Sequence, residues 1–331
     1  MKYINLGRSG LKVSQIILGC MSYGVKRPKD NLIWVLEEEE AMKHLKYAYD
    51  SGINAFDTAD TYSQGDSERI LGKFLKKYEI PRESVVIMTK TYMEFGEKEW
   101  YGPAGFVNNS RLSRKRIFAA VKNSLERLQT DYVDVFQCHR FDKDTPIEET
   151  MQALHDIVQA GYTRYIGMSS CWAWQFQLMQ QYALHKNLTP FITMQNYHNA
   201  IYREEEREMM PTLQHFGVGC IPWSPLGGGA LCRPIDTDPT ERSKVNNKTF
   251  SPSTQAIIRQ VEKIASNRGV TMAQVALAWS ISKPFISAPI VGTTSLIKLE
   301  DLIKGCELEL TVEEVKSIDE LYEPMGIMGH V

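Results

Sequence analysis

Short apolar runs alternate with longer amphipathic segments along almost the whole chain. Near its start, Tyr3-Ile4-Asn5-Leu6 and Leu11-Lys12-Val13-Ser14 flank Gly7-Arg8-Ser9-Gly10, and two alternating runs about a glycine-rich turn predict a β-hairpin. A strand follows at 15–18 and a helix at 37–50. The glutamates of that helix crowd its N-terminus, where the helix dipole favours negative charge, and Gly52 lies just past its end. The pattern then repeats. Strands are predicted at 53–57, 85–90, 132–139, 165–169, 191–195, 218–223 and 285–290. Helices are predicted at 67–78, 113–128, 146–160, 174–186, 204–216, 254–267, 271–282 and 296–304, with a terminal helix at 313–322. Eight strands alternating with helices in one unbroken run predict an α/β fold, a closed (β/α)8 TIM barrel spanning 1–331 as a single domain. The rival, an open doubly wound sheet, wants G-x-G-x-x-G after its first strand. The only comparable run, Gly227-Gly228-Gly229, follows the seventh. Three connections are long, 21–36, 92–112 and 226–253, and each follows the C-terminal end of a strand, where such barrels place binding loops.

Composition narrows the partners. The 331 residues carry 38 Lys plus Arg against 40 Asp plus Glu, a formal charge of −2. No basic field exists to hold nucleic acid or an anionic membrane surface. The N-terminus has no apolar stretch of signal-peptide length, no segment is apolar enough for a membrane span, and the C-terminus matches no lipidation signal. Cys20, Cys138, Cys171, Cys220, Cys232 and Cys306 are scattered without a C-x-x-C pair, which predicts reduced thiols in a cytoplasmic protein. The histidines show no metal-ligand spacing, so no metal is expected. His44, His155, His185, His198 and His215 read as structural residues without spaced partners.

The chemistry gathers at strand ends. Asp57 closes the second barrel strand, with Tyr62 in the loop behind it. Lys90 ends the third and His139 the fourth. Ser169 and Ser170 follow on the fifth, Gln195 on the sixth, and Trp223 and Ser224 on the seventh. A free phenol titrates near pH 10, too high to exchange protons readily at neutrality. An adjacent ammonium favours the phenolate; lowering the phenol by about 2 units needs about 2.7 kcal/mol, within reach of one partly desolvated lysine. Asp57, Lys90 and Tyr62 thus read as orienter, tuner and acid, with His139 placed to donate a hydrogen bond to a carbonyl oxygen.

Phe56-Asp57-Thr58-Ala59-Asp60-Thr61-Tyr62, Met88-Thr89-Lys90, Gln137-Cys138-His139-Arg140 and Ile166-Gly167-Met168-Ser169-Ser170 together resemble the aldo-keto reductase superfamily. Tyr202-Arg203-Glu204-Glu205-Glu206-Arg207-Glu208 and Ile221-Pro222-Trp223-Ser224-Pro225-Leu226 resemble its aryl-alcohol dehydrogenase-like and versiconal hemiacetal acetate reductase-like branch. The resemblance implies NADPH-dependent reduction of aldehydes or ketones, with Asp57, Tyr62, Lys90 and His139 as catalytic tetrad and Tyr62 as general acid. It implies that Ser169, Ser170 and Gln195 bind the nicotinamide carboxamide and that Trp223 stacks on the ring. Ser224, Leu226 and Gly228 then contact the pyrophosphate. The segment Gly292-Thr293-Thr294-Ser295 opens a helix N-terminus, a phosphate site on physical grounds, and the resemblance adds Lys298 as the 2′-phosphate contact.

Two positions depart from the family pattern: Ser170 and Leu302 stand where many members have asparagine, which leaves Asp301 as the adenine contact. Tyr23, Trp34, Tyr92, Trp100 and Trp172, in or near the mouth loops, are candidate walls of a substrate pocket. The expected partner is a small carbonyl or alcohol substrate, and the expected assembly a monomer or weak homo-oligomer. Two rival readings are a catalytically weak NADPH-binding accessory or sensor protein of the same fold, and a barrel hydrolase built on His139 and Asp57.

Overall fold

The computed structural model describes residues 1–27, 33–96, 98–237 and 250–330. The predicted hairpin forms from β1 (Tyr3–Asn5) and β2 (Lys12–Ser14), paired antiparallel. Eight parallel strands follow: β3 (Ile17–Gly19), β4 (Ala55–Asp57), β5 (Val86–Thr91), β6 (Val133–Cys138), β7 (Thr163–Ser169), β8 (Phe191–Gln195), β9 (Gly219–Cys220) and β10 (Ile290–Val291). Their order is β10-β3-β4-β5-β6-β7-β8-β9. Parallel bridges Cys220–Ile286 and Trp223–Ile290 join the two ends, so the sheet closes on itself as a (β/α)8 barrel.

Every residue of β4, β5 and β6 is buried, because helices cover the outer face and side chains fill the interior. Phe56, Ile87, Phe136 and Ile166 point to the helices and join one core; Ala55, Met88, Val135 and Ile290 fill the barrel itself. Amphipathic helices pack around the outside, among them Glu38–Asp50, Asp66–Lys77, Arg114–Leu128 and Ile147–Gln159. The glutamate-rich start predicted for the first of these stands, with Glu38, Glu39 and Glu40 in its first turn and Glu37 as its N-cap.

Three predicted elements differ. The strand expected at 218–223 shortens to β9 because Pro222 has no N–H to give a ladder. That expected at 285–290 survives only as β10 and an isolated bridge at Ile286, with Pro289 just before β10. The helix expected at 204–216 splits into a 3-10 turn, Glu204–Glu206, and an α-helix, Met209–Phe216. The split turns the acidic run inward rather than to solvent: Glu204 and Glu205 are buried. Parts of the long connections at 21–36, 92–112 and 226–253 lie outside the described residues.

That inward acidic run ties down the C-terminal end. Tyr322 Oη and the Met325 amide both donate to Glu204 Oε1, at 2.7 and 2.9 Å. The Met328 amide donates to Tyr202 Oη at 2.9 Å, and His330 Nε2 stands 2.8 Å from Glu205 Oε1. Next to it, Arg203 bridges Glu206 and Asp319, while Trp279 and Lys283 also bond Asp319. His198, read from the sequence as a structural residue, lies buried in this network, 2.8 Å from Glu206 and stacked on Trp279.

Burial pushes the Glu206 carboxyl up, but the bonds from His198 and Arg203 outweigh it and bring it from the ordinary 4.5 down to about 2. A depressed carboxyl stabilises the fold above its unfolded value and loses that contribution as pH falls through the folded one. Glu206→Gln is therefore expected to lower unfolding stability at pH 7 by about 1–3 kcal/mol. The gap to wild type should close as pH falls from about 4.5 toward 2. Chemical denaturation of both proteins across that range checks this; a gap that does not change with pH contradicts it.

Candidate active site

The site is built by register. Asp57 is the last residue of β4; Lys90 on β5 pairs with Gln137 on β6, and Ser169 on β7 with Gln195 on β8. These side chains therefore meet at the C-terminal rim, whatever their separation in sequence. Tyr62 enters from a 3-10 turn, Tyr62–Gly65, in which Ser63 and Gln64 take φ of 47° and 55°. Two successive left-handed residues without glycine are an unfavourable backbone, and they set the tyrosine against the lysine.

Lys90 is fully buried and Asp57 is 2% exposed. Lys90 Nζ donates to Asp57 Oδ2 at 2.6 Å, to the Thr58 carbonyl at 2.8 Å and to Tyr62 Oη at 3.2 Å. The other oxygen of Asp57 accepts from Gln137 Nε2 at 3.1 Å and Gln195 Nε2 at 3.0 Å. A carboxylate only accepts, so both amides turn their nitrogens to it. His139 stands edge-on to Tyr62, ring centres 5.9 Å apart. Its Nδ1 is buried without a partner, so Nε2 is the nitrogen left to meet a ligand in the cleft that the ring lines.

The electrostatics correct one expectation. The Tyr62 phenol is raised, not lowered, because burial outweighs the pull of Lys90 and the Asp57 charge opposes that pull as well. Burial works against the Lys90 charge, yet Asp57 and Tyr62 together hold the ammonium above its usual value. Burial, with Lys90 and Arg140 nearby, holds His139 well below the usual imidazole range. At neutral pH the arrangement is a protonated phenol, a charged lysine and a neutral histidine. It can give up a proton and hold an oxygen.

A cleft of about 1040 Å³ runs from these groups to the start of the helix Leu296–Gly305. Asp57, Tyr62, His139, Ser169, Gln195 and Trp223 line one end. Ser224, Leu226, Gly228, Gly292, Thr294, Lys298 and Asp301 line the rest. Gly228 has φ +70° and open space where a Cβ would stand. Ser295, which caps the helix, makes no side-chain bond to it, so amide donors at its N-terminus stay available. A flat indole, a glycine-lined turn and an uncapped helix N-terminus beside Lys298 fit a dinucleotide with a terminal phosphate.

Some predicted contacts lie elsewhere. Ser170 does not line the cleft. Its Oγ accepts from Trp223 Nε1 at 3.1 Å, and Gly329 packs over both, so it fixes the indole instead of presenting itself to a ligand. Asp301 lines the cleft, but its carboxylate already accepts from Thr271 and Gln274, each at 2.7 Å. Of the candidate substrate walls, Trp34 lines the cleft and three others do not. Tyr23 is 1% exposed, part of the core with its ring edge-on to His44. Tyr92 packs partly buried against the core, and Trp172 is 41% exposed with its ring against His330. The Trp100 side chain lies outside the described residues.

Sequence reasoning missed four residues here. Gln137 shares the anchoring of Asp57; a glutamine inside an otherwise apolar strand was its signal. Arg140, Arg233 and Thr271 also line the cleft. Arg140 follows a candidate catalytic histidine, which could have drawn notice, whereas Arg233 and Thr271 carry no local pattern. Among the described residues, no three of His, Cys, Asp and Glu come together as a metal site. Nor is any helix there long and apolar enough to cross a membrane.

Known proteins resemble this chain over its whole length. The profile of the Aldo/keto reductase family matches residues 15–323. Versiconal hemiacetal acetate reductase of Aspergillus parasiticus is 45% identical over 343 aligned residues, covering 99% of this chain and 98% of that protein. A Schizosaccharomyces pombe protein bearing an aryl-alcohol dehydrogenase name is 46% identical over 98% of this chain and 97% of its own. The aldo-keto reductase dtxS3 of Metarhizium robertsii is 44% identical over 99% of this chain and 93% of its own. Because this similarity runs through every barrel strand that delivers a side chain to the cleft, the chain belongs to the aldo/keto reductase family.

Proposed function

We propose that this protein reduces aldehydes or ketones to alcohols with NADPH, reversibly, using Tyr62 as the general acid. The observation that carries the reading is Lys90 Nζ held between Asp57 Oδ2 and Tyr62 Oη, with His139 beside the phenol, at one end of a cleft suited to a dinucleotide.

When bound, the nucleotide supplies the hydride; the chain supplies the rest. Neutral His139 donates from Nε2 to the substrate oxygen and orients it. Tyr62 gives its proton to the same oxygen as negative charge builds there. The raised phenol is consistent with this role, since the group must be protonated at the start. Lys90 then faces the departing proton's charge and stabilises the phenolate it leaves. Asp57, fixed by Gln137 and Gln195, keeps that lysine charged and in place. The amide nitrogen of Gln195 is committed to Asp57, so its oxygen is the atom to accept from a carboxamide, with Ser169 beside it. Trp223, stacked on Tyr197 at 4.3 Å and tied to Ser170, offers a rigid flat face for the ring.

Lys298 and Arg233 support NADPH over NADH, because both stand on the cleft wall near the uncapped helix N-terminus, where a phosphate gains more than a free ribose hydroxyl. The cytoplasm, where NADPH and reduced thiols are available, is the proposed compartment, and a monomer or weak homo-oligomer the proposed state.

Tyr62→Phe is expected to lower the single-turnover hydride-transfer rate by about 10²–10⁴ while nucleotide still binds. Stopped-flow absorbance with a panel of aldehydes and ketones measures it, and a rate near wild type overturns the acid assignment. Nucleotide binding with no turnover of any carbonyl by the wild type favours a sensor role instead. Lys298→Glu is expected to weaken NADPH binding about tenfold or more and NADH binding far less, by fluorescence titration. Equal losses for the two nucleotides count against a 2′-phosphate contact.

A further inference from the structure

Arg140 is the one cleft residue near the reacting end whose charge the proposed mechanism does not use. It follows His139 directly, so their Cα atoms are about 3.8 Å apart. Its side chain lines the cleft together with Tyr62 and His139. Its charge is felt at Tyr62, His139 and Tyr92.

The guanidinium is poorly satisfied. Nη1 donates to the His139 carbonyl at 2.5 Å, and this is its only hydrogen bond among the described residues. Nε is buried with no acceptor. No carboxylate of the described residues lies within 4.0 Å of it. Among the described residues, the buried cations Lys90 and Arg116 have their anions, Asp57 and Asp60, each at 2.6 Å. Asp301, the other carboxylate on the cleft wall, is already engaged by Thr271 and Gln274. A partly desolvated arginine without a counter-ion is unfavourable unless a ligand completes it. With Nη1 on the His139 carbonyl and Nε buried, Nη2 is the donor left for a ligand, and a carboxylate is its strongest common acceptor.

We propose that Arg140 is an anion-binding subsite beside the reacting carbonyl, so that the protein prefers aldehydes or ketones carrying a carboxylate a few bonds from the carbonyl carbon. This inference rests on the carbonyl-reductase reading and gives it a substrate class. His139 and Tyr62 hold the carbonyl oxygen, Arg140 holds the carboxylate, and two anchored points fix which face of the carbonyl is presented. A purely structural Arg140, one that only ties down the His139 carbonyl, would touch acidic and neutral substrates alike.

The test compares 2-, 3- and 4-carboxybenzaldehyde with the corresponding methylbenzaldehydes in wild type, Arg140→Met and Arg140→Lys, reading kcat/KM with NADPH. Calorimetric titration of benzoate into the NADP+-saturated protein gives a second readout that needs no turnover. Wild type should favour at least one carboxy isomer over its methyl partner by about tenfold or more. In Arg140→Met that ratio should fall by about tenfold and benzoate should bind about tenfold more weakly, with Arg140→Lys recovering part of both. If Arg140→Met does not fold, Arg140→Gln takes its place. An unchanged ratio together with unchanged benzoate affinity overturns the subsite while leaving the reductase reading intact. Arg140-dependent benzoate binding with no reduction of any aldehyde keeps the subsite and overturns the reductase reading.

Discussion

A charged lysine closed inside a barrel is the constraint from which the rest of this site follows. Lys90 has no exposed surface, and an ammonium taken out of water is tolerated only with a partner and with its remaining protons bonded. Asp57, the Thr58 carbonyl and the Tyr62 hydroxyl meet that demand, each contributed by β4 or the turn behind it. Asp57 in turn has an oxygen left over, and Gln137 and Gln195 satisfy it from β6 and β8. One buried charge thereby engages β4, β5, β6 and β8 at the same rim. Replacing such a pair by apolar side chains often leaves a protein as stable or more so, so stability alone does not account for the pair.

The same logic runs outward. The indole of Trp223 is fixed by Ser170 on one side and Tyr197 on another, and the C-terminal end lies over it through Gly329. That end is held by Glu204, from the buried acidic run, together with Tyr202. The buried acidic run is thus part of a clamp that brings Gly329 against Trp223 on the cleft wall. Arg140 stands apart from this economy as a cation that no carboxylate in the described fold answers.

Much of this was legible in the sequence because barrel strands are short and apolar and end where they turn polar. Asp57, Lys90, His139 and Gln195 were visible for that reason alone, since strand ends in a parallel barrel share one rim. Three things were not visible. The inward turn of Glu204 and Glu205 depends on partners more than a hundred residues away, at Tyr322, Met325 and His330. Ser170 and Tyr23 were placed by chain position, but their side chains take directions that only packing decides. The direction of the Tyr62 shift needed the balance of burial against one lysine already answered by a carboxylate, a sum that residue identity does not give.

The central claim is that the buried pair persists for the proton it controls, and one measurement addresses it most directly. Asn at position 57 keeps an oxygen for Gln137 and Gln195, and Met at 90 fills the lysine's volume without charge. In Asp57→Asn/Lys90→Met, with folding verified by thermal melting, the single-turnover rate of aldehyde reduction by NADPH should fall by about 100-fold or more. A folded double variant that keeps a rate within about threefold of wild type would contradict the account, since such a loss is far below what a controlled general acid contributes.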